Sequence, residues 1–311
     1  MIFLPDLPKR SVLLALVAAG FVSVSLAQDQ AKITKPVVSE KACPAQVLSV
    51  PTRDGHKATA VVRKPPGKGP FPAVIYLHGT LGSSTADQLK ESLKGPPLSR
   101  FLASGYVTVA ATFRDRRQDP LTPEALTDCI AITEHLKKMP EVDAKSIVVW
   151  GQSGGGSLAL ELAGDMQLCA IAATEPATGL FTGMYNKNNL KGKPPYSAAD
   201  GRHIMEDPKS FYTPDLQKHT REKIAKISCP IFIAHGDVDI FRLNRFNNEF
   251  FIPELKQAKK HVEVILYRGE RHGSLPGSKK FFDDCHAFFK RHVTRQPTPL
   301  EESLVKQVPV D

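Results

Sequence analysis

Apolar and polar positions alternate along this chain with a period that changes several times, and each change marks a predicted element. "QVLSVPT" and "KATAVVR" carry strand-like patterns on either side of Asp54-Gly55, which predicts an antiparallel hairpin closed by a tight turn. A Pro/Gly connector, "KPPGKGPFP", leads into "AVIYLHG", whose unbroken apolar run from Ala73 to Leu77 predicts a strand covered on both faces. Strand-like and helix-like stretches then alternate: a polar helical stretch near 86–104, the strand "YVTVAA", a helix over 124–138, the strand "SIVVW", a helix over 154–163 and the strand "LCAIAAT". Within 124–138, Ala125, Cys129, Ile132 and Leu136 recur at helical steps, and Thr122 before Pro123 predicts an N-cap followed by proline at the first helical position. This rhythm implies a parallel sheet with right-handed crossovers.

Residues 175–229 interrupt the rhythm. The stretch is rich in Gly, Asn, Lys and Pro, with a short helical segment near 215–226, and reads as an insertion or cap over the sheet. Its Phe181, Met184, Tyr185, Tyr196, Phe211 and Tyr212 either line a substrate pocket or pin the cap to the sheet. The sheet pattern resumes with "IFIAHG", a helix near 244–259 and the strand "HVEVILY". In the last helix Phe281, Phe282, Cys285, Phe288 and Phe289 make one apolar stripe, the signature of a core face. The main domain therefore runs over 46–292, after an extended lead-in over 28–45 and before a peripheral tail over 293–311.

A chain of 311 residues with 41% hydrophobic content can bury a substantial core. Lys9 and Arg10, about a dozen apolar residues and then Ser25 and Ala27 at small-x-small spacing read as a secretory signal over 1–27, cut after Ala27. The apolar stretch is shorter than the roughly 20 residues that span a bilayer, so a periplasmic or secreted protein without stable membrane insertion is expected. The net charge of +9 comes from scattered Lys and Arg with no nucleic-acid motif, so nucleic acid is not an expected partner. Oligomeric state is not legible. Cys43, Cys129, Cys169, Cys229 and Cys285 permit disulfides in an oxidising compartment, their odd count leaves at least one unpaired, and their pairing cannot be read. None has zinc-ligand spacing, so no structural metal is expected.

The chemistry concentrates in "IVVWGQSGGGSLALELA". Gly151-Gln152-Ser153-Gly154-Gly155 fits G-x-S-x-G between a predicted strand and a predicted helix, where a strained serine is exposed only if its neighbours lack side chains. Gly154-x-Gly156-x-x-Ala159 also fits a dinucleotide pattern, with Glu175 about twenty residues on as a ribose-binding acid. Two further features separate the readings. Strands end in His78-Gly79 and His235-Gly236, and His272 stands in the glycine-bounded loop "RGERHGS" after the last predicted strand. A serine hydrolase needs an acid and a histidine arriving after the serine at the same sheet edge, and a dinucleotide site needs neither.

In that order and spacing, "LHG", "VDAKSIVVWGQSGGG", "AHGDVD" and "GERHG" make residues 46–291 resemble the α/β-hydrolase superfamily, most closely its dienelactone-hydrolase-like and prolyl-oligopeptidase-type branches. The resemblance implies a mostly parallel sheet of about eight strands with helices on both faces. It implies Ser153 as nucleophile, His272 as general base and acid, and Asp239 as the acid partner, with Asp237 in reserve and Glu175 as a further alternative. The backbone N–H groups of Gly154 and Thr80 would form the oxyanion hole, with Gly151 and Gly155 shaping the elbow. No cofactor is implied. Dienelactone hydrolases proper carry cysteine where Ser153 stands, and about 45 residues before the first hairpin strand are too few for the propeller of the oligopeptidases. The expectation is a secreted serine hydrolase acting on small carboxylic esters through an acyl-enzyme. A peptidase or amidase of the same fold, or a non-catalytic binding protein, stands as the alternative.

Overall fold

Residues 34–79, 84–114, 123–193, 198–239 and 242–309 are described by a computed structural model. Its strands are β1 (Thr34–Val38), β2 (Gln46–Pro51), β3 (Lys57–Arg63), β4 (Phe71–Leu77), β5 (Val107–Ala111), β6 (Val142–Gln152), β7 (Ala170–Thr174), β8 (Ile231–Val238), β9 (Val262–Arg271) and β10 (Val305–Pro309). Eight of them form one sheet in the order β2-β3-β5-β4-β6-β7-β8-β9. β2 and β3 pair antiparallel and meet at the Asp54-Gly55 turn, where Gly55 takes a φ of +82°. β3 also pairs antiparallel with β5, and every pairing from β5 to β9 is parallel.

Helices cover both faces because the central strands are apolar on both. From β6, Ile147 and Val149 join one core, and Val148 and Trp150 join the other. The second core is closed by α1 (Ala86–Lys94), α2 (Leu98–Ala103) and the phenylalanine stripe of the last helix. The predicted single helix near 86–104 is thus two, because Gly95-Pro96-Pro97 ends the first: a proline cannot donate to the preceding turn. The first core is closed by α3 (Glu124–Lys138), α4 (Gly154–Asp165) and, further along the chain, residues 224–255. Pro123 sits at the N-cap of α3, one position before the place expected for it, and Thr122 lies outside the described residues.

Between β7 and β8 run three short helices, α5 (Thr178–Phe181), α6 (Arg202–Glu206) and α7 (Pro208–Phe211), then the longer α8 (Pro214–Lys226). α8 buries Ile224 in the first core and ties back to α4 by Lys223–Glu161, so it is the crossover helix and the inserted segment lies before it. Phe181, Met184 and Tyr212 are buried in the same core, Phe181 edge-on to Phe251 and Tyr212 edge-on to Phe246. They pin the insertion. Tyr196 lies outside the described residues. The predicted helix near 244–259 is α9 (Leu243–Phe246), a π-turn over Asn247–Phe251 and α10 (Ile252–Gln257). The last helix, α11 (Lys279–His292), starts at a Ser278 cap and buries all five residues of its stripe.

The lead-in and the tail find each other: β1 and β10 form a separate antiparallel pair, Thr34 opposite Pro309 and Val38 opposite Val305. Buried arginines fasten it to the domain, Arg63 donating to the carbonyls of Val38 and Cys43 and Arg100 to that of Thr34. None of the five cysteines forms a disulfide, and Cys43, Cys129, Cys229 and Cys285 are buried. No helix among the described residues is long and apolar enough to cross a membrane. The signal segment, 1–27, lies outside them.

Candidate active site

β6 ends at Gln152 and α4 begins at Gly154, leaving Ser153 alone on the turn with φ 53° and ψ −118°. An L residue in that region carries strain of about 1–3 kcal/mol, which only surrounding structure can hold. Here the Ser153 N–H donates to the Thr174 carbonyl at 2.8 Å, and its own carbonyl accepts from Gly156 and Ala177, both at 3.0 Å. The glycines let strand and helix close on the turn. A Cβ on Gly155 would lie 2.2 Å from the Leu77 carbonyl oxygen, and one on Gly151 would lie 2.1 Å from that of Gly155.

His272 sits immediately after β9, with Nε2 3.2 Å from Ser153 Oγ. Its Nδ1 is 3.5 Å from Asp239 Oδ1 and 3.9 Å from Glu175 Oε2, and both carboxylates are wholly buried. Burial works to lower the imidazole pKa, but the Asp239 hydrogen bond and charge, with the Glu175 charge, outweigh it and hold His272 above its ordinary value. Of the two acids considered at the end of β8, Asp239 faces the imidazole. Asp237, the penultimate residue of β8, is exposed and accepts the Gly269 N–H of β9 at 2.7 Å, a tie between the two strand ends.

Gly154 occupies the first position of α4, directly after the serine, and the loop after β4 comes equally close: a Cβ on Gly79 would be 3.6 Å from the Ser153 Cβ. Thr80 lies outside the described residues. His78 stacks on Phe113 with centroids 4.4 Å apart and its Nδ1 contacts the Gly79 carbonyl, while burial lowers its pKa. His235 is buried at the end of β8 and pushed down to about 4 by that burial, so it is neutral at ordinary pH. Arg114, three residues after β5, is held by Asp128 and Asp54.

Glu175 is fully buried, has a φ of 48° and accepts the Gly273 N–H at 2.6 Å, which leaves no face for a ribose. The sequence marks it as a ribose-binding acid or as a further alternative to the two aspartates, and its tie to Gly273 has no local signal. Gln152 is a second residue that the motif does not single out: its Oε1 accepts from the Tyr76 hydroxyl at 3.1 Å, fixing the side chain next to Ser153. Among the described residues, His261, Glu263 and His292 approach closely enough to share an ion, but Arg291 already donates to both Glu263 oxygens.

Residues 108–296 match the model of the prolyl oligopeptidase family, over half of the 311-residue chain and across Ser153, Asp239 and His272. The chain belongs to that family. A segment of 194 residues is 26% identical to the acetyl esterase Axe7A of Xylanibacter ruminicola, covering 57% of this chain and 42% of that protein. Another of 154 residues is 26% identical to a Penicillium rubens protein named "Probable dipeptidyl-aminopeptidase B", covering 45% of this chain and 16% of that one. The chain thus spans less than half the length of either. The fold is that of the α/β-hydrolases. Carboxyl esterase 2 of Tuber melanosporum superposes with a TM-score of 0.60 at 20% identity, over 82% of this chain and 90% of that one.

Proposed function

We propose that this member of the prolyl oligopeptidase family hydrolyses small carboxylic esters through an acyl-enzyme on Ser153. The observation that carries the reading is the 3.2 Å approach of His272 Nε2 to Ser153 Oγ on a strained, glycine-flanked turn. In the proposed cycle Oγ attacks the ester carbonyl carbon as its proton passes to Nε2. The oxyanion is received by the Gly154 N–H, and by that of Thr80. The Asp239 carboxylate at Nδ1 keeps the ring oriented and stabilises the imidazolium. Imidazolium then protonates the departing alkoxide, the C–O bond breaks, and the alcohol leaves an acyl-serine. Water, deprotonated by Nε2, attacks that ester, and collapse returns the proton to Oγ with release of the carboxylic acid.

Esters are favoured over peptides because the named relative with the larger matched share, 57% of this chain, is an acetyl esterase. The family's name and the aminopeptidase-named relative keep peptide or amide cleavage as the second reading. Wild type should cleave p-nitrophenyl acetate faster than aminoacyl p-nitroanilides, and Ser153→Ala should lower ester turnover by about 10⁴-fold or more. Faster anilide cleavage would transfer the proposal to a peptidase. A Ser153→Ala variant as active as wild type would end it. A fluorophosphonate should label folded wild type at Ser153, and absence of labelling would favour a binding protein that keeps the fold. We also propose export by the 1–27 segment, expected to give a mature chain whose N-terminal sequence starts at Gln28.

A further inference from the structure

The reaction just described leaves one buried ionisable group beside the imidazole without a task. Glu175 follows β7 on a left-handed residue, a conformation that a glycine would take without strain. Its side chain is wholly out of water, with Asp239 close enough to repel it. Both features oppose having an acid there. Oε2 accepts the Gly273 N–H at 2.6 Å and lies 3.9 Å from His272 Nδ1, and Oε1 has no hydrogen-bond partner among the described residues. The carboxyl therefore touches the backbone that follows the histidine and flanks the ring edge opposite the nucleophile.

We propose that Glu175 is a positioning residue for His272: its carboxyl clamps the 272–273 segment through the Gly273 N–H and, when ionised, places a second negative charge beside Nδ1. This rests on the reading of Ser153 and His272 as nucleophile and base. The two acids divide the work. Asp239 orients the ring, while Glu175 holds the main chain that carries it, over a distance that the longer glutamate side chain can reach. The charged and titratable groups that act on Glu175 are Asp239 just after β8, Glu270 from β9 and His272 from the loop after it. Burial pushes the Glu175 carboxyl up to about 7, the Gly273 N–H and the His272 charge oppose this, and Asp239 and Glu270 add to it. With 3.9 Å between Oε2 and Nδ1, the charge of each group acts directly on the other.

The test follows the His272 ring by NMR across pH in wild type and Glu175→Gln, with the signal assigned by its loss in His272→Gln. Glutamine keeps an acceptor for Gly273 and removes the charge, so the His272 midpoint should fall by about 0.5–1 pH unit. Fluorophosphonate labelling of Ser153 at pH 8.5 reads the clamp: Glu175→Gln should stay within about threefold of wild type, and Glu175→Ala, lacking the acceptor, should slow about tenfold or more. An unmoved His272 midpoint in Glu175→Gln overturns the proposal, as does an alanine variant labelling at the wild-type rate. Should Glu175→Ala fail to fold, the glutamine titration decides alone. The titration needs no turnover, so a wild-type chain that neither labels nor cleaves esters would count against the base reading and leave Glu175 to be judged by NMR.

Discussion

Gly155 shows how little freedom the elbow allows. Its missing Cβ is the space occupied by the Leu77 and His78 carbonyls, so Gly155→Ala must push β4 and α4 apart. A loss of about 3 kcal/mol or more in urea unfolding is expected, together with loss of Ser153 labelling. Asp239 and Asp237 differ by two positions and in almost everything else. Asp239→Asn should lower ester kcat by about 10³–10⁴-fold, whereas Asp237→Asn, altering one exposed hydrogen bond between the ends of β8 and β9, should leave it within about threefold. In the proposed mechanism His272 must be neutral to accept the serine proton, and since it is held above its ordinary value, kcat/KM should fall on the acid side of a midpoint above 6.5. Glu175 also carries a stability signature. Its folded-state pKa is raised from 4.5 to about 7, so its contribution is fully present below 4.5 and is lost as pH rises through about 7. Thermal melts should therefore show Glu175→Gln gaining on wild type between pH 5 and pH 8. The serine and histidine were legible because each is bracketed by glycines at a strand end. Glu175 was named only as a ribose-binding or alternative acid, since a hydrogen bond to a residue 98 positions away leaves no local pattern.

Helices and strands followed their periodicity wherever one face met the core. The α11 stripe was read as core from spacing alone, and Phe288 and Phe289 are fully buried. Phe288→Ala should cost about 3–5 kcal/mol, measurable by denaturant titration. Breaks were less legible than elements. Gly95-Pro96-Pro97 divides the stretch read as one helix, and Pro253 begins α10 after a π-turn in which Asn247 donates to the Pro176 carbonyl at 2.9 Å. The tail was read as peripheral, yet β10 supplies β1 with its only strand partner among the described residues. Removing residues 297–311 also removes the Leu300–Ala103 backbone hydrogen bond and should lower the melting temperature by several degrees, about 1–2 kcal/mol, while Ser153 labelling persists.

The sheet order brings the loops after β4, β6, β8 and β9 to one edge, and that convergence makes the candidate site. Four of the five thiols are buried and none is bridged, so reductant should not change the melting curve. Thiol titration should find five groups in unfolded protein and at most one or two reacting promptly in the native state. Alternating strand and helix signals, the glycine-flanked serine and the order of acid and histidine were determined by the chain alone, because period, steric allowance and turn chemistry act between near neighbours. Only the tertiary structure decided which aspartate meets the imidazole, where Glu175 places its carboxyl and how the two chain ends pair. Those outcomes depend on the fold carrying residues 33, 98 and 275 positions apart in sequence into contact, distances over which no local periodicity persists.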